Sequence, residues 1–272
     1  MVSQYFIFDN INSIDMGLHI IRLDGGMIPT PVSGGKSIKK EKSSLRDVAY
    51  RYGTELEEMT FTITFSPLEG EWTDDFRFRI FKWLNSRNPK SFQTCDSLAK
   101  MCYVTCINPQ EIFISGNNQG YVVCEFEATT GYWLSSIEIA THDLSDIGTT
   151  PTIITMENKS NIEDAKSGEF IYYPELEIQL VGNVTGFSFY NESNGNKAFG
   201  FSGLTKGETI YINNQKQQII SDISETTYRL NKMLYSKSFF YLVYGVNQIK
   251  VICTGGTGGV IIQSKMQFPL YM

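Results

Sequence analysis

The sequence predicts a mainly β protein made of two antiparallel domains. Apolar and polar residues alternate with a period of two along most of the chain, which is typical of half-buried strands. Phe and Tyr, which favour strands, contribute 18 and 15 of the 272 residues. The pairs Asn194-Gly195 and Asn213-Asn214 separate alternating segments and suit the positive φ of hairpin turns. A chain of this length can bury two cores, and we place the boundary near residues 134–150.

Four segments show the alternation most clearly, and each has one plainly apolar face. The outward positions between the apolar residues carry mostly Thr, Glu, Gln and Lys. We therefore predict four strands that bury one face and expose the other. Their inward-facing residues are Phe61, Ile63 and Phe65; Val122, Cys124, Phe126 and Ala128; Leu176, Ile178 and Leu180; and Ile262, Ser264, Met266 and Phe268.

One segment, residues 73–87, has a helical period instead. Four apolar residues fall at i, i+4, i+7 and i+8, which places them in a single stripe along a helix. Thr73 is positioned to cap the start, Arg87 lies at the negative end of the dipole, and Pro89 ends the segment. We predict that this helix packs its stripe against a sheet. The stripe consists of Phe76, Ile80, Trp83 and Leu84.

The charge of the chain argues against nucleic acid as its main partner. The net charge at pH 7 is −6, so a nucleic-acid binder would need a local basic patch against an unfavourable overall field. The basic cluster consists of Lys36, Lys39, Lys40 and Lys42 around Glu41. We interpret this cluster as a solvated loop, with a phosphate-contacting arm as the alternative.

The cysteines and histidines do not indicate a disulfide framework or a metal site. Five cysteines, an odd number, lie mostly in apolar strand-like segments, which suits reduced and buried thiols. Cys102 and Cys106 would share one face of a strand about 13 Å apart, and only His19 and His142 are available to complete a site. We predict no metal and no cofactor.

No pattern of catalytic residues stands out. The Gly34-Gly35-Lys36-Ser37 segment resembles the end of a P-loop, but Thr30 occupies the position that requires a glycine. The glycine-rich run 255–259 lies between two strands and predicts a flexible hairpin turn. Carboxylates are plentiful, but their spacing in the sequence does not identify a catalytic pair. No Gly-x-Ser-x-Gly elbow, which would indicate a serine nucleophile, appears in the sequence. We predict no catalytic residue and a protein that is not an enzyme.

Clustered aromatic residues in the second half have two interpretations. At strand spacing they favour the core of a sandwich, and stacking on sugar rings is the alternative. If these aromatics bind sugar, Tyr172 and Tyr190 are the candidate glycan-stacking residues. The start of the chain lacks the basic region and apolar core of an export signal, and no segment reaches the ~20 apolar residues that span a bilayer. We therefore expect no membrane anchor and synthesis in a cytoplasm.

The order of several sequence segments along the whole chain resembles the distal tail proteins (Dit) of long-tailed, non-contractile bacteriophages. Two segments lie in the first half and two in the second, and their order is more specific than any one of them. The segments are FKWLNSRNP at 81–89, YVVCEFEATTGYWL at 121–134, GETIYINNQKQQI at 207–219 and FFYLVYGVNQIKV at 239–251.

This resemblance implies a particular architecture. Residues 1–135 would form a β-barrel-like, ring-forming domain with one helix at about 73–87 and an extended arm at about 24–57. Residues 136–272 would form a galectin-like antiparallel β-sandwich. The arm would contact a neighbouring subunit, and its candidate interface residues are Lys36, Lys39, Lys40, Arg46, Tyr50 and Tyr52.

The resemblance also implies a structural function in the virion. Six copies would form a ring that joins the tail tube protein to the tail hub protein, with receptor-binding proteins as possible further partners. DNA would only pass through the lumen, and the protein would be made in the cytoplasm of the bacterial host. Three alternatives stay open: a carbohydrate-binding module for host surface glycans, a cell-wall hydrolase, and a tail-tube subunit.

Overall fold

The structure is a computed structural model that describes residues 5–21, 33–42, 48–95, 97–164, 168–223, 229–235 and 238–271. The chain divides into two compact units. Met1–Ser136 and Leu270–Met272 form the first unit, and Ile137–Pro269 form the second. In chain order the elements are β1 (Phe6–Phe8), β2 (Ile11–Asn12), β3 (Leu18–Ile20), β4 (Lys36–Lys42), β5 (Ala49–Leu56), β6 (Thr60–Pro67), α1 (Asp74–Leu84), β7 (Lys90–Thr94), β8 (Lys100–Ile114), β9 (Gly120–Ala128), β10 (Trp133–Ser135), β11 (Glu138–Leu144), β12 (Thr152–Asn158), β13 (Ile171–Tyr172), β14 (Glu175–Gly182), β15 (Gly186–Asn191), β16 (Lys197–Phe201), β17 (Thr209–Asn213), β18 (Gln218–Ser221), β19 (Leu242–Val243), β20 (Gly245–Thr254), β21 (Gly258–Met266) and β22 (Pro269–Leu270), with short 3₁₀ turns at Glu192–Asn194 and Arg229–Lys232.

The first unit is built on a nine-stranded sheet that curls into a half-barrel. Seven strands lie in the order β2-β1-β7-β8-β9-β6-β3, and β10 pairs with both β8 and β22. The pairs along the seven-strand order are antiparallel, as the sequence predicts. The strands β4 and β5 form a separate two-stranded sheet.

Phenylalanine rings fill the core of the first unit. The ring centroid of Phe126 lies 6.4, 6.0, 5.8 and 5.7 Å from those of Phe6, Phe8, Phe61 and Phe92, respectively. The predicted inward residues of β6 and β9 line this core, so both strand predictions are confirmed. The alternation of apolar and polar residues predicted these strands correctly, because one face of each strand meets the core and the other does not.

The predicted helix is confirmed as α1, the only α-helix in the described part of the chain. The Thr73 hydroxyl accepts a hydrogen bond from the Phe76 N–H at 3.3 Å, which satisfies one of the free amides at the helix start. Ile80 and Leu84 are buried, so the apolar stripe faces the core as predicted.

The last turn of α1 packs tightly and then stops. The Trp83 ring stacks on Phe6 at 5.7 Å between centroids, and its indole N–H donates to the Phe8 carbonyl at 3.2 Å. The helix ends three residues before the predicted limit, because Asn85 has a ψ of 74° and leaves the helical conformation. Arg87 therefore lies beyond the helix, and its predicted role at the helix end was wrong.

The second unit contains two larger antiparallel sheets. One has five strands in the order β11-β21-β14-β17-β18, and the other has four in the order β12-β20-β15-β16. A short pair, β13 and β19, completes the pairing. The inward residues predicted for β14 and β21 are buried, as are the phenylalanines of β15 and β16, so the core interpretation of these aromatics is confirmed. The buried phenylalanines are Phe187, Phe189, Phe199 and Phe201.

The turn predicted at Asn213-Asn214 was wrong in its conformation. The loop from β17 to β18 has its positive φ at Gln217, at 56°. Asn214 is instead buried, and its side chain donates to the Pro174 carbonyl and accepts from the Phe240 N–H. Asn214 therefore contributes through its side-chain hydrogen bonds and not through a positive φ. The prediction for Gly195 is confirmed, with a φ of 79°.

The glycine-rich run 255–259 is not a hairpin turn, so that prediction was also wrong. It joins β20 of the four-stranded sheet to β21 of the five-stranded sheet. A Cβ on Gly255 would lie 2.1 Å from the Thr185 hydroxyl, and one on Gly258 would lie 2.2 Å from the Val181 carbonyl. Both glycines also have positive φ, so this crossing between sheets requires them.

A buried asparagine network fixes the corner that precedes β20. Asn247 is fully buried, and its carboxamide oxygen accepts from the Val243 N–H at 3.0 Å and from the Asn191 amide at 2.9 Å. Its own amide donates to the carbonyls of Val243 and Gly245 at 2.7 and 2.9 Å. One side chain therefore satisfies four polar groups in the corner.

Replacing Asn247 with leucine is expected to lower the unfolding free energy of the second unit by roughly 2–4 kcal/mol, because buried polar groups lose their partners. Scanning calorimetry would measure the loss. All three tryptophans lie in the first unit, so the unfolding transition seen by tryptophan fluorescence should not move. Gln248→Ala, at an exposed neighbouring position, is the matched control and should change stability by less than about 0.5 kcal/mol. An equal loss in both variants would contradict the role of the network.

Candidate subunit interface

The strands β4 and β5 form an exposed hairpin in the first unit. They pair antiparallel from Lys36 opposite Leu56 to Lys42 opposite Ala49, with a bulge between Lys39 and Lys40. Nearly every described residue of the hairpin is exposed, on both of its faces. At about 3.4 Å per residue, the seven residues of β4 extend over roughly 24 Å. The predicted solvated loop around the lysine cluster was therefore wrong, because these lysines lie on a strand.

The base of the hairpin is held by close backbone packing. The Gly34 N–H donates to the Gly131 carbonyl at 2.7 Å, and the Glu57 N–H donates to the Gly35 carbonyl at 2.8 Å. A Cβ on Gly34 would lie 1.8 Å from the Glu57 carbonyl oxygen, and one on Gly131 would lie 2.2 Å from it. The glycines let the backbones approach, which gives the Gly34-Gly35 pair a structural role at this position.

Polar side chains form contacts across the two strands. The Lys39 ammonium lies 2.6 Å from the Glu55 carboxylate, and the Tyr52 hydroxyl donates to Glu41 at 2.9 Å. The hydrogen bond to Glu41 raises the pKa of the Tyr52 phenol. Because these groups are well exposed, such contacts contribute little net stability.

Large apolar side chains on the hairpin are also exposed. Val48 and Tyr52 expose 73% and 68% of their surface, and Ile38 and Tyr50 expose about half. An isolated two-stranded hairpin is at best marginally stable in water, because it has no core of its own. An exposed ribbon with apolar side chains is typical of a surface that another chain covers. We therefore treat the hairpin as the candidate subunit interface.

Most of the arm residues singled out from the sequence lie on this one element. Lys36, Lys39, Lys40, Tyr50 and Tyr52 all belong to β4 or β5. The Lys36 ammonium also lies 4.9 Å from the centre of the Tyr271 ring. Arg46 lies outside the described residues.

The two glycan-stacking candidates lie apart in different sheets of the second unit. Tyr172 is on β13, where its hydroxyl accepts from the Gln267 N–H at 2.8 Å and its ring contacts Phe268. Tyr190 is on β15, and its hydroxyl lies 2.6 Å from that of Tyr235. Each tyrosine therefore has partners within its own unit, and the structure does not bring the two together on one sheet.

Sequence reasoning missed an exposed aromatic on the helix. Phe78 exposes 72% of its surface, the largest exposure of any phenylalanine in the described residues. Its position two residues after Phe76 takes it off the apolar stripe, and that offset was the signal available in the sequence. The helix therefore offers a second apolar contact point on the first unit, in addition to its packing role.

The described residues provide little for metal binding or membrane insertion. They contain no group of three or more His, Cys, Asp or Glu that could hold a metal ion. Among them, no helix is long and apolar enough to cross a membrane. All five cysteines lie in the described residues as thiols outside any disulfide, and Cys102, Cys124 and Cys253 are buried as predicted.

The curled sheet with its helix and exposed hairpin, followed by a unit of two larger antiparallel sheets, matches a Dit-like fold, that of phage distal tail proteins. Residues 1–130 match the family described as phage tail protein N-terminal domain. The resemblance stated from the sequence is thereby confirmed.

The whole chain is similar to particular phage proteins. It is similar to the crystal structure of the Dit protein (gp 19.1) of phage SPP1, with a TM-score of 0.62, 11% identity and coverage of 97% of this chain and 98% of that one. A chain of the phage P2 baseplate, in its activated conformation with calcium, gives a TM-score of 0.51 at 9% identity, with 97% and 98% covered. In sequence, the chain is 22% identical over 255 residues to the uncharacterized protein YomH, derived from the SPbeta prophage of Bacillus subtilis (strain 168), covering 92% of each.

Proposed function

We propose that this protein forms a hexameric ring in a phage tail, where it joins the tail tube to the tail hub and the host-adsorption apparatus. The role is structural and not enzymatic. The similar SPP1 protein is described as a paradigm of the hub adsorption apparatus in phages that infect Gram-positive bacteria, which supports this placement. The protein would be made in the host cytoplasm and carried in the virion.

The observation that carries the proposal is the exposed hairpin. A β-ribbon that cannot bury its apolar side chains on its own unit gains stability by burying them on the next copy. A contact of this kind joins two different surfaces, so it repeats from copy to copy and closes into a ring when the rotation allows. The hairpin therefore supplies the repeated contact that a ring requires.

The charge of the chain fits the proposed position around the DNA path. A net charge of −6 per chain favours a lumen through which DNA passes without adhering, provided that acidic residues face inward. The second unit would contact receptor-binding proteins. Its proposed galectin-like character rests on the pair of antiparallel sheets described above.

The oligomeric state of the purified full chain tests this proposal directly. Size-exclusion chromatography with light scattering is expected to give six copies of the 30.8 kDa chain, about 185 kDa. Negative-stain electron microscopy should then show rings with six-fold symmetry. A species that stays monomeric at high concentration, and that forms no ring in isolated virions, would contradict the proposal.

A further inference from the structure

A groove lies on the outward face of the five-stranded sheet in the second unit. Strands β21, β14, β17 and β18 lie side by side there, and the groove between their outward side chains has a volume of about 370 Å³. The strand register sets the side chains in two rows across the sheet. The first row is Lys265, Glu175, Asn213 and Gln218, and the second is Gln263, Glu177, Tyr211 and Ile220.

The first row forms its own polar contacts. The Asn213 amide donates to the Glu175 carboxylate at 2.7 Å, and the Lys265 ammonium lies 3.3 Å from the same carboxylate. The charges of Glu175 and Lys265 therefore offset each other. This row forms one wall of the groove, with its hydrogen-bonding capacity already partly used.

The second row is different because its polar groups have no partner. The Glu177 side chain is half-buried and makes no hydrogen bond or ion pair within the described chain, and the exposed Gln263 side chain beside it also makes none. On the other side of Glu177 lies Tyr211, with 44% of its surface exposed, followed by Ile220. The row therefore presents an amide, a carboxylate, an aromatic ring and an aliphatic side chain in sequence.

This combination fits the chemistry of a sugar ring. A pyranose has an apolar face of C–H groups that can lie on an aromatic ring, and an edge of hydroxyls that donate hydrogen bonds. A carboxylate has two oxygens and can accept from two neighbouring hydroxyls, and the Gln263 carboxamide can both donate and accept. Sites for small ligands commonly combine apolar walls with a few unpaired polar groups in this way.

We propose that the row Gln263, Glu177, Tyr211 and Ile220 is a binding site for a neutral saccharide. The sugar stacks on Tyr211 and donates two hydroxyl hydrogen bonds to Glu177. Because Glu175 is offset by Lys265, Glu177 gives the groove a net negative charge, which disfavours phosphorylated or carboxylated glycans. The site does not depend on ring formation, since the second unit supplies all four residues.

Saturation-transfer NMR on the purified full chain tests the site. The probes are glucose, galactose, N-acetylglucosamine, N-acetylgalactosamine and their β-linked disaccharides, with sialic acid and glucose 6-phosphate as anionic comparisons. We expect at least one neutral probe to bind more tightly than both anionic probes. Tyr211→Ala and Glu177→Gln should each weaken that binding by about tenfold or more, because each removes one half of the recognition.

The matched control is Tyr244→Ala in the same unit, at a tyrosine that exposes 64% of its surface. Its binding should stay within about twofold of the unchanged chain, since the groove is intact. Calorimetry should show that all three variants unfold as the unchanged chain does. The site would be refuted if no neutral probe binds, if anionic probes bind as well, or if the Tyr211 and Glu177 variants bind normally. None of these results would affect the ring, which is tested separately by mass.

Discussion

Replacing residues 39–53 with an Asn-Gly turn is expected to convert the ring into monomers. Ile38 and Thr54 face each other in the hairpin register, so a two-residue turn can join them without disturbing the base. The shortened hairpin loses Tyr50 and Tyr52 and most of its exposed apolar surface. A ring needs this contact at every subunit boundary. We therefore expect the truncated chain to form no rings at all, with no partly assembled population. Light scattering would measure the change in mass.

The design separates loss of assembly from loss of folding. The backbone bonds of Gly34 and Gly35 at the hairpin base stay in place, and the core of the first unit is untouched. The tryptophan-fluorescence unfolding transition of the monomer should therefore persist. Tyr244→Ala, in the second unit, is a control that should keep the ring. Rings that form normally after the truncation would show that the hairpin is not the subunit contact.

Phe126→Ala is expected to lower the unfolding free energy of the first unit by about 3–5 kcal/mol, which is the scale of large core truncations. The Phe126 side chain is fully buried and packs against four other phenylalanine rings. Its removal leaves a cavity at the centre of this cluster, and the surrounding strands are tied into one sheet that cannot easily collapse. Urea unfolding followed by tryptophan fluorescence would measure the loss in the first unit alone.

Phe78→Ala is the matched control for this prediction. The residue type and the unit are the same, but Phe78 is exposed on α1, so the variant should change the stability of the monomer by less than about 0.5 kcal/mol. The shortened-hairpin monomer is the suitable background, because ring contacts would otherwise add to the measured stability. A Phe126 variant that is no less stable than the Phe78 variant would show that the aromatic cluster is not the core of this unit.

The sequence correctly predicted those elements that have one face against the core. The strand through Phe126 and the helix with its Thr73 cap both follow from local patterns, since burial on one side produces a period of 2 or 3.6. The hairpin of β4 and β5 has no such pattern, because both of its faces are exposed. That is why its lysines were interpreted as a loop, although the resemblance to distal tail proteins implied an arm.

The turn predictions at Asn213-Asn214 and at 255–259 were wrong for a related reason. Asn214 was assigned to a hairpin turn from its neighbours, but its position is set by the Phe240 N–H, 26 residues away. The glycines at 255–259 look local in the sequence, but their conformation is set by a crossing between two sheets. In both cases the deciding contact lies far along the chain.

The sequence by itself determined the β character of both halves, the four strands with the clearest alternation and the helix α1. Residue periodicity and capping are local properties, so they can be predicted without knowing what an element packs against. Only the tertiary structure decided that Gln263, Glu177 and Tyr211 lie side by side, and that β4 and β5 form a paired ribbon with its apolar side chains exposed. Such pairings join residues far apart in the chain, and the energy of a cross-strand contact leaves no periodic signal in the sequence of either strand.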